Sequence, residues 1–168
     1  GANNSNYGDN LSGGAGANTF AFAADSGTSF LTAADTVTGG ADADKISFTG
    51  DATVADAAFT LVTSVETLTA AADIDVDYTL GALADAAVVR TVTFTGTSGD
   101  TDSLIVGAGF TSALTVNLDS DATEGNTITA TAYTGVLTVK SDLLNLNNAS
   151  DLQTITGGTG SDVLQISL

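Results

Sequence analysis

Near one end of the chain stand nine residues, GGTGSDVLQ (Gly157–Gln165), with glycine at three of the first four places, then an aspartate, then one large apolar residue. The pattern constrains the fold because it recurs at its own length. NASDLQTIT (Asn148–Thr156) runs directly into it, placing Gln153 nine residues before Asp162 and Ile155 nine before Leu164. GGAGANTFA (Gly13–Ala21) follows NSNYGDNLS (Asn4–Ser12), so Asp9 and Leu11 precede Asn18 and Phe20 at the same offsets. In a third tandem pair, FLTAADTVT (Phe30–Thr38) leads into GGADADKIS (Gly39–Ser47), with Asp35 and Val37 ahead of Asp44 and Ile46. TSGDTDSLI (Thr97–Ile105) is a seventh, degraded copy carrying Asp102 and Leu104. Self-similarity at a fixed step marks a chain that stacks one small unit on the next.

The residues between the copies favour strands. Glu, Lys, Gln, Arg and Met are scarce or absent, while Thr, Val, Ala, Gly and Asp dominate. Thr and Val suit pleated surfaces; Gly and Asp suit turns. ALTVNLDS (Ala113–Ser120) alternates cleanly, with Leu114, Val116 and Leu118 on one face. VETLTA (Val65–Ala70), TITA (Thr127–Ala130), VLTVK (Val136–Lys140) and LLNLNN (Leu143–Asn148) behave similarly, and VRTVTFTG (Val89–Gly96) does so loosely. Two Ala-rich stretches, Thr53–Thr60 and Leu80–Val89, each have room for a turn or two of helix. At 168 residues and 43% hydrophobic content, the chain is expected to form one domain, 1–168, with a real core rather than a disordered coil. It has no Met, which points to a piece excised from a larger protein.

Charge narrows the partners. Lys45, Arg90 and Lys140 are the only cationic side chains against 20 acidic ones, a formal net charge of −17. Three scattered cations build no basic patch, so nucleic acid and anionic membrane surfaces are poor partners. Self-repulsion of this size opposes compaction, and a multivalent cation would relieve it. No apolar run is long enough to span a membrane as a helix, and no charged-then-apolar leader opens the sequence.

The pattern G-G-x-G-x-D-x-U-x, with U large and apolar, resembles the repeats-in-toxin (RTX) nonapeptide, and the copies quoted above cover roughly a third of the chain. The intervening segments resemble those of RTX-containing bacterial surface-layer proteins. The resemblance implies a right-handed parallel β-solenoid, or β-roll, with irregular inserted strands and calcium between stacked turns. Two nonapeptides would then make one coil. Calcium takes six to eight oxygen ligands, including carboxylates and main-chain carbonyls. Glycine lets a turn present carbonyls at φ > 0, the aspartate supplies charge, and the apolar residue points inward.

By the same analogy the ligands are Asp9, Asp35, Asp44, Asp102 and Asp162 at the aspartate position. Gly13, Gly14, Gly16, Gly39, Gly157, Gly158 and Gly160 would contribute through their main-chain turns. Asp42 and Asp100, each two residues before another aspartate, could add a ligand. Asn18 keeps an oxygen but no charge, Gln153 is longer and neutral, and Tyr7 and Ala33 replace the third glycine of their copies. Three or four complete turns remain. The alternative is that these are ordinary Gly-Asp turns in a calcium-free solenoid. DIDVDYT (Asp73–Thr79) is expected to be a solvated acidic strand face, and Leu118–Asp121 with Glu124 fits a calcium loop and a plain turn equally.

With neither His nor Cys, Ser–His–Asp and Cys–His catalysis are excluded. No aspartate pair is flanked by aromatic residues that would stack a sugar, and Trp is absent, so a paired-carboxylate glycosidase is disfavoured. The expectation is a non-enzymatic, extracellular structural module of a bacterial surface-layer protein, exported by type I secretion, with calcium driving folding and self-assembly into a lattice or filament. Its rivals are an RTX export domain of a secreted enzyme and a stalk or binding module of a giant adhesin.

Overall fold

The computed structural model describes residues 8–25, 27–95, 101–118, 125–142, 146 and 152–167. The strands follow in chain order as β1 (Asn10–Gly14), β2 (Thr19–Phe22), β3 (Ala24–Asp25), β4 (Gly27–Ser29), β5 (Thr36–Gly40), β6 (Lys45–Phe48) and β7 (Ala52–Val54). Then come β8 (Val62–Thr63), β9 (Thr67–Ala70), β10 (Val76–Leu80), β11 (Thr91–Phe94) and β12 (Ser103–Val106). The last are β13 (Leu114–Asn117), β14 (Thr127–Thr129), β15 (Leu137–Asp142), β16 (Thr154–Thr156) and β17 (Val163–Ser167).

Alternation sorts these strands into a solenoid. One long sheet, sheet I, stacks β2, β6, β9, β11, β13, β15 and β17 in that order, every neighbouring pair parallel. Sheet II stacks β4, β7, β10, β12, β14 and β16, also in parallel, with β3 turned back antiparallel on β4 at its outer edge. A short sheet III of β1, β5 and β8 gives the early coils a third wall. The chain is therefore an all-β parallel solenoid; the described helical elements are a short α-helix, α1 (Ala82–Ala86), and a 3₁₀ turn over Asp56–Phe59. Both helical turns fall inside the Ala-rich stretches.

The period-2 pattern puts every second residue inward. In sheet I the inward column is Phe20, Ile46, Leu68, Val92, Val116 and Val139, all buried. In sheet II it is Val54, Tyr78, Leu104 and Ile128. VRTVTFTG, ambiguous by alternation, points Val92 and Phe94 inward. Phe22, Phe48, Tyr78 and Phe94 form a chain of rings with centroids 6.5, 5.6 and 5.8 Å apart, tying the first coils together. Farther along, Phe110 meets Tyr133 edge-on at 6.0 Å.

The coil is longer than two nonapeptides. Register runs from Phe20 to Ile46, Leu68, Val92, Val116, Val139 and Leu164, steps of 22 to 26 residues rather than 18. The nine-residue step is one corner of a coil. It carries the chain from sheet III to sheet I at Leu11–Phe20 and Val37–Ile46, and from sheet II to sheet I at Ile155–Leu164. The remaining residues build the other leg. Consequently the first two tandem pairs stack on each other, Leu11 over Val37 and Phe20 over Ile46.

Candidate functional site

At the corners of the solenoid, residues at or near the start of a strand direct an N–H toward the next coil. A carboxylate or carboxamide one coil onward accepts it. Asp9 N–H donates to Asp35 Oδ1 at 2.8 Å, Asn18 N–H to Asp44 Oδ1 at 2.7 Å, and Gly16 N–H to Asp42 Oδ2 at 2.8 Å. The same geometry joins Val76 N–H to Asp102 Oδ1 (2.7 Å) and Leu137 N–H to Asp162 Oδ1 (3.0 Å). Each bond to a charged acceptor contributes about 1.5–3 kcal/mol where it is shielded from water, and less where it is exposed. The carboxylates of Asp35, Asp44, Asp102 and Asp162 are thus inter-coil staples, the first chemical role the geometry assigns them.

Two further staples have no aspartate signature. Glu66 Oε2 accepts Asp44 N–H at 2.8 Å, and Gln153 Oε1 accepts Asn126 N–H at 3.0 Å. Glu66 lies in the same register column as Asn18 and Asp44, in a coil whose sequence has lost the glycines, so repeat matching misses it. A second group works in the opposite direction, accepting from the coil that follows. Asp51 takes Asp75 N–H, Asp56 takes Gly81 and Ala84 N–H, and Asp75 takes Thr101 N–H. Asp77 accepts from Ser103 Oγ. The aspartates of DIDVDYT are therefore exposed, as expected, but Asp75 and Asp77 also bind neighbouring coils, and Asp73 stands in a turn at φ 60° rather than on the strand.

Asp85 is heavily served by donors. Its Oδ1 pairs with Arg90 Nη1 at 2.9 Å, and its Oδ2 accepts Thr111 N–H and Oγ1–H and Ser112 N–H. Burial by itself would raise its pKa; the donors from Ser112 and Thr111 and the Arg90 charge outweigh that and lower it from 3.8 to about 2.

The candidate metal ligands divide by what already surrounds them. Asp35 is fully buried, with Oδ2 accepting from Thr32 N–H (2.7 Å) and Oγ1–H (2.9 Å) besides the Asp9 staple on Oδ1. Asp162 takes Gly158 N–H on Oδ2 at 2.7 Å, so both its oxygens also face donors. Asp44 differs. It is fully buried, its Oδ1 accepts from Asn18 N–H and Nδ2–H, and its Oδ2 has no hydrogen-bond partner.

That oxygen faces the glycine turn. A Cβ on Gly39 would lie 2.6 Å from Asp44 Oδ2 and far inside van der Waals contact distance of the Ser64 carbonyl oxygen. Ser64, at φ 53°, is one of three described non-glycine residues in the left-handed region. Asp44 Oδ2 and the Ser64 carbonyl therefore converge on the space kept open by Gly39, a pair of hard oxygens of the kind calcium prefers. Around Gly13, by contrast, a Cβ would meet the Asn18 carboxamide and the Gly39 carbonyl, and Gly14 (φ 117°) and Gly16 (φ 88°) face open space.

The candidates are spread over several corners. Asp9, Asp35, Asp42 and Asp44 sit with Asn18 in the first two coils, Asp102 lies at the inner start of β12, and Asp162 is on the last coil with Gly157, Gly158 and Gly160. Asp100 and the Leu118–Glu124 segment past Leu118 lie outside the described residues. Among the described residues no three acidic side chains gather into one cluster, so a cation at the Asp44 corner would draw on carbonyls as well as carboxylate. Among them, too, no helix is long and apolar enough to cross a membrane. Comparison with protein families, curated proteins and solved structures finds no match to this chain.

Proposed function

We propose that this chain is a structural, calcium-binding module of a secreted bacterial cell-surface protein of the RTX surface-layer type, in which calcium completes folding and promotes association between copies. The observation that carries the reading is the Asp44 corner, where a fully buried carboxylate oxygen without a partner meets the Ser64 carbonyl at a position only glycine leaves open. A buried charge left in that condition costs several kcal/mol unless a cation balances it. Asp44 and the Ser64 main chain would hold the ion, with Asp42 and the Gly39–Gly40 turn beside them. Bound calcium supplies positive charge and oxygen-directed geometry; the chain supplies the staples that hold successive corners in line.

The net charge of −17 supports the same reading. Calcium at the corners lowers the repulsion between stacked carboxylates and so couples metal binding to folding. In a calcium-poor cytosol the chain would stay expanded and suited to export, then fold outside. No catalytic step is assigned to it.

Far-UV circular dichroism during calcium titration of exhaustively chelated protein tests the proposal, with negative-stain imaging of the same samples. The expected result is a saturable, calcium-dependent gain of β-sheet signal followed by ordered arrays. A β-sheet spectrum indifferent to chelator would remove calcium from the reading. A calcium-dependent spectrum from particles that remain monomeric would remove the lattice and favour an adhesin or export-domain role.

A further inference from the structure

The first two coils build the same corner with one chemical change. Asn18, Asp44 and Glu66 stand one coil apart, just before β2, β6 and β9. Gly13, Gly39 and Ser64 stand one coil apart at or beside the ends of β1, β5 and β8. A Cβ on Gly13 would strike Asn18 Nδ2 and lie 2.6 Å from the Gly39 carbonyl oxygen. A Cβ on Gly39, one coil onward, would lie 2.6 Å from Asp44 Oδ2 and strike the Ser64 carbonyl oxygen. Each glycine therefore fronts a side-chain atom of its own coil and a carbonyl of the next. In the first corner that side-chain atom is an N–H₂ donor; in the second it is a carboxylate oxygen, fully buried and without a partner.

Its neighbours fix which way the Asn18 carboxamide points. Nδ2 lies 2.6 Å from the Gly16 carbonyl oxygen and 2.9 Å from Asp44 Oδ1, both acceptors, so the nitrogen end must face them. The Asn18 main-chain N–H reaches the same Asp44 oxygen at 2.7 Å. The amide thus sets its partly positive hydrogens between oxygens of its own coil and the next. Asp44 gets nothing equivalent from the third coil, because Glu66, its counterpart there, is an acceptor that takes the Asp44 N–H. Were position 18 a carboxylate, as the nonapeptide pattern has it, two like charges would stack one coil apart, about 4.8 Å. A cation would then have to separate them.

We propose that Asn18 stands in for a cation. Its amide closes the corner between the first and second coils and confines calcium to the corner between the second and third, where Asp44 Oδ2 faces the Ser64 carbonyl. The inference rests on the calcium reading of the Asp44 corner and adds the residue that decides which corner takes the ion. Asparagine makes a corner that the chain holds by itself; aspartate makes one that is held through a metal.

Two reciprocal variants of the whole chain test this, by calcium calorimetry and by circular dichroism in chelator. Asn18→Asp is expected to take up one more calcium ion than wild type. Asp44→Asn turns an N–H₂ group toward the Ser64 carbonyl and is expected to take up one fewer. It should also hold more structure than wild type in chelator, read as a larger β-sheet signal or, where both are folded, a Tm about 2–4 °C higher. Because that prediction is a gain, it carries the test even if Asn18→Asp does not fold. An unchanged ion count in folded Asn18→Asp, or an Asp44→Asn variant no more stable than wild type in chelator, would overturn the proposal. Wild type that binds no calcium, beside an Asn18→Asp variant that binds one and an Asp44→Asn variant stabilised in chelator, would remove the ion from Asp44 and still support the role of the Asn18 amide.

Discussion

Two copies of one turn, Gly39–Asp44 and Gly157–Asp162, share their paired glycines and closing aspartate but have different surroundings. The first lies between stacked coils. Asp44 is fully buried, takes two donors from Asn18, gives its own N–H to Glu66, and keeps one oxygen toward Ser64. The second closes the last described coil. Asp162 is exposed, one of its oxygens bonds back into its own turn at Gly158, and the apolar residue two places on, Leu164, is 51% exposed where Ile46 is 0%. Only a coil on each side converts the motif into a buried, oxygen-lined corner.

The comparison can be broken most forcefully through the apolar position. Ile46→Ala should cost about 2–5 kcal/mol, because it opens a cavity between stacked sheets, and Leu164→Ala much less, because Leu164 is half in water already. Urea denaturation of both variants checks the contrast, and equal losses would mean that the last coil is covered in solution.

The glycines come next. Gly39→Ala should destabilise by about 1–3 kcal/mol, since its Cβ would be driven into a main-chain oxygen of the following coil. At Gly157 the nearest atom is the tip of the Asp162 side chain, which can swing away, so Gly157→Ala should fall below that range in the same denaturation experiment.

Replacing the aspartates separates stability from metal binding. Asp44→Ala leaves the Asn18 donors unsatisfied in a buried place and should cost about 1–3 kcal/mol. Asp162→Ala, in water, should cost less. By calorimetry, Asp44→Ala should also abolish the tightest calcium-binding step, while Asp162→Ala should keep it.

The smallest expected effect is in acid. The Asp85 carboxyl is held near 2 in the folded chain against 3.8 unfolded, so it favours folding above pH 3.8 and loses that contribution as pH falls toward 2. Asp85→Asn should flatten stability against pH between about 4 and 2 and leave the neutral region with a uniform offset. A wild-type slope retained by the variant would assign the acid sensitivity to other carboxylates.

Much of the fold was legible because it is local. Thr115 and Val116, or Thr127 and Ile128, declare their faces by alternation, and the structure places them so. The Ala-rich stretches became α1 and the Asp56–Phe59 turn. The candidate site was legible in part. The nine-residue step identified Asp35, Asp44 and Asp162 as special, yet it hid Glu66 and Ser64. Glu66 acts through a register set 22 residues away, and Ser64 through a main-chain carbonyl aimed by a positive φ. Neither leaves a side-chain signature in a repeat.

By itself the sequence determined an all-β chain, turns at glycine and aspartate, inward and outward faces of the strands, and a stacked rather than layered architecture. Those properties follow from φ/ψ preference and period-2 burial, which act within a few residues. The tertiary structure alone decided that a coil takes 22 to 27 residues, that Asp44 is buried while Asp162 is not, and that Asp102 and Asn126 are buried just before β12 and β14. The reason is distance along the chain. A carboxylate acquires its role from the N–H or carbonyl of the neighbouring coil, and the path between the sheets, not the motif, determines which group that is.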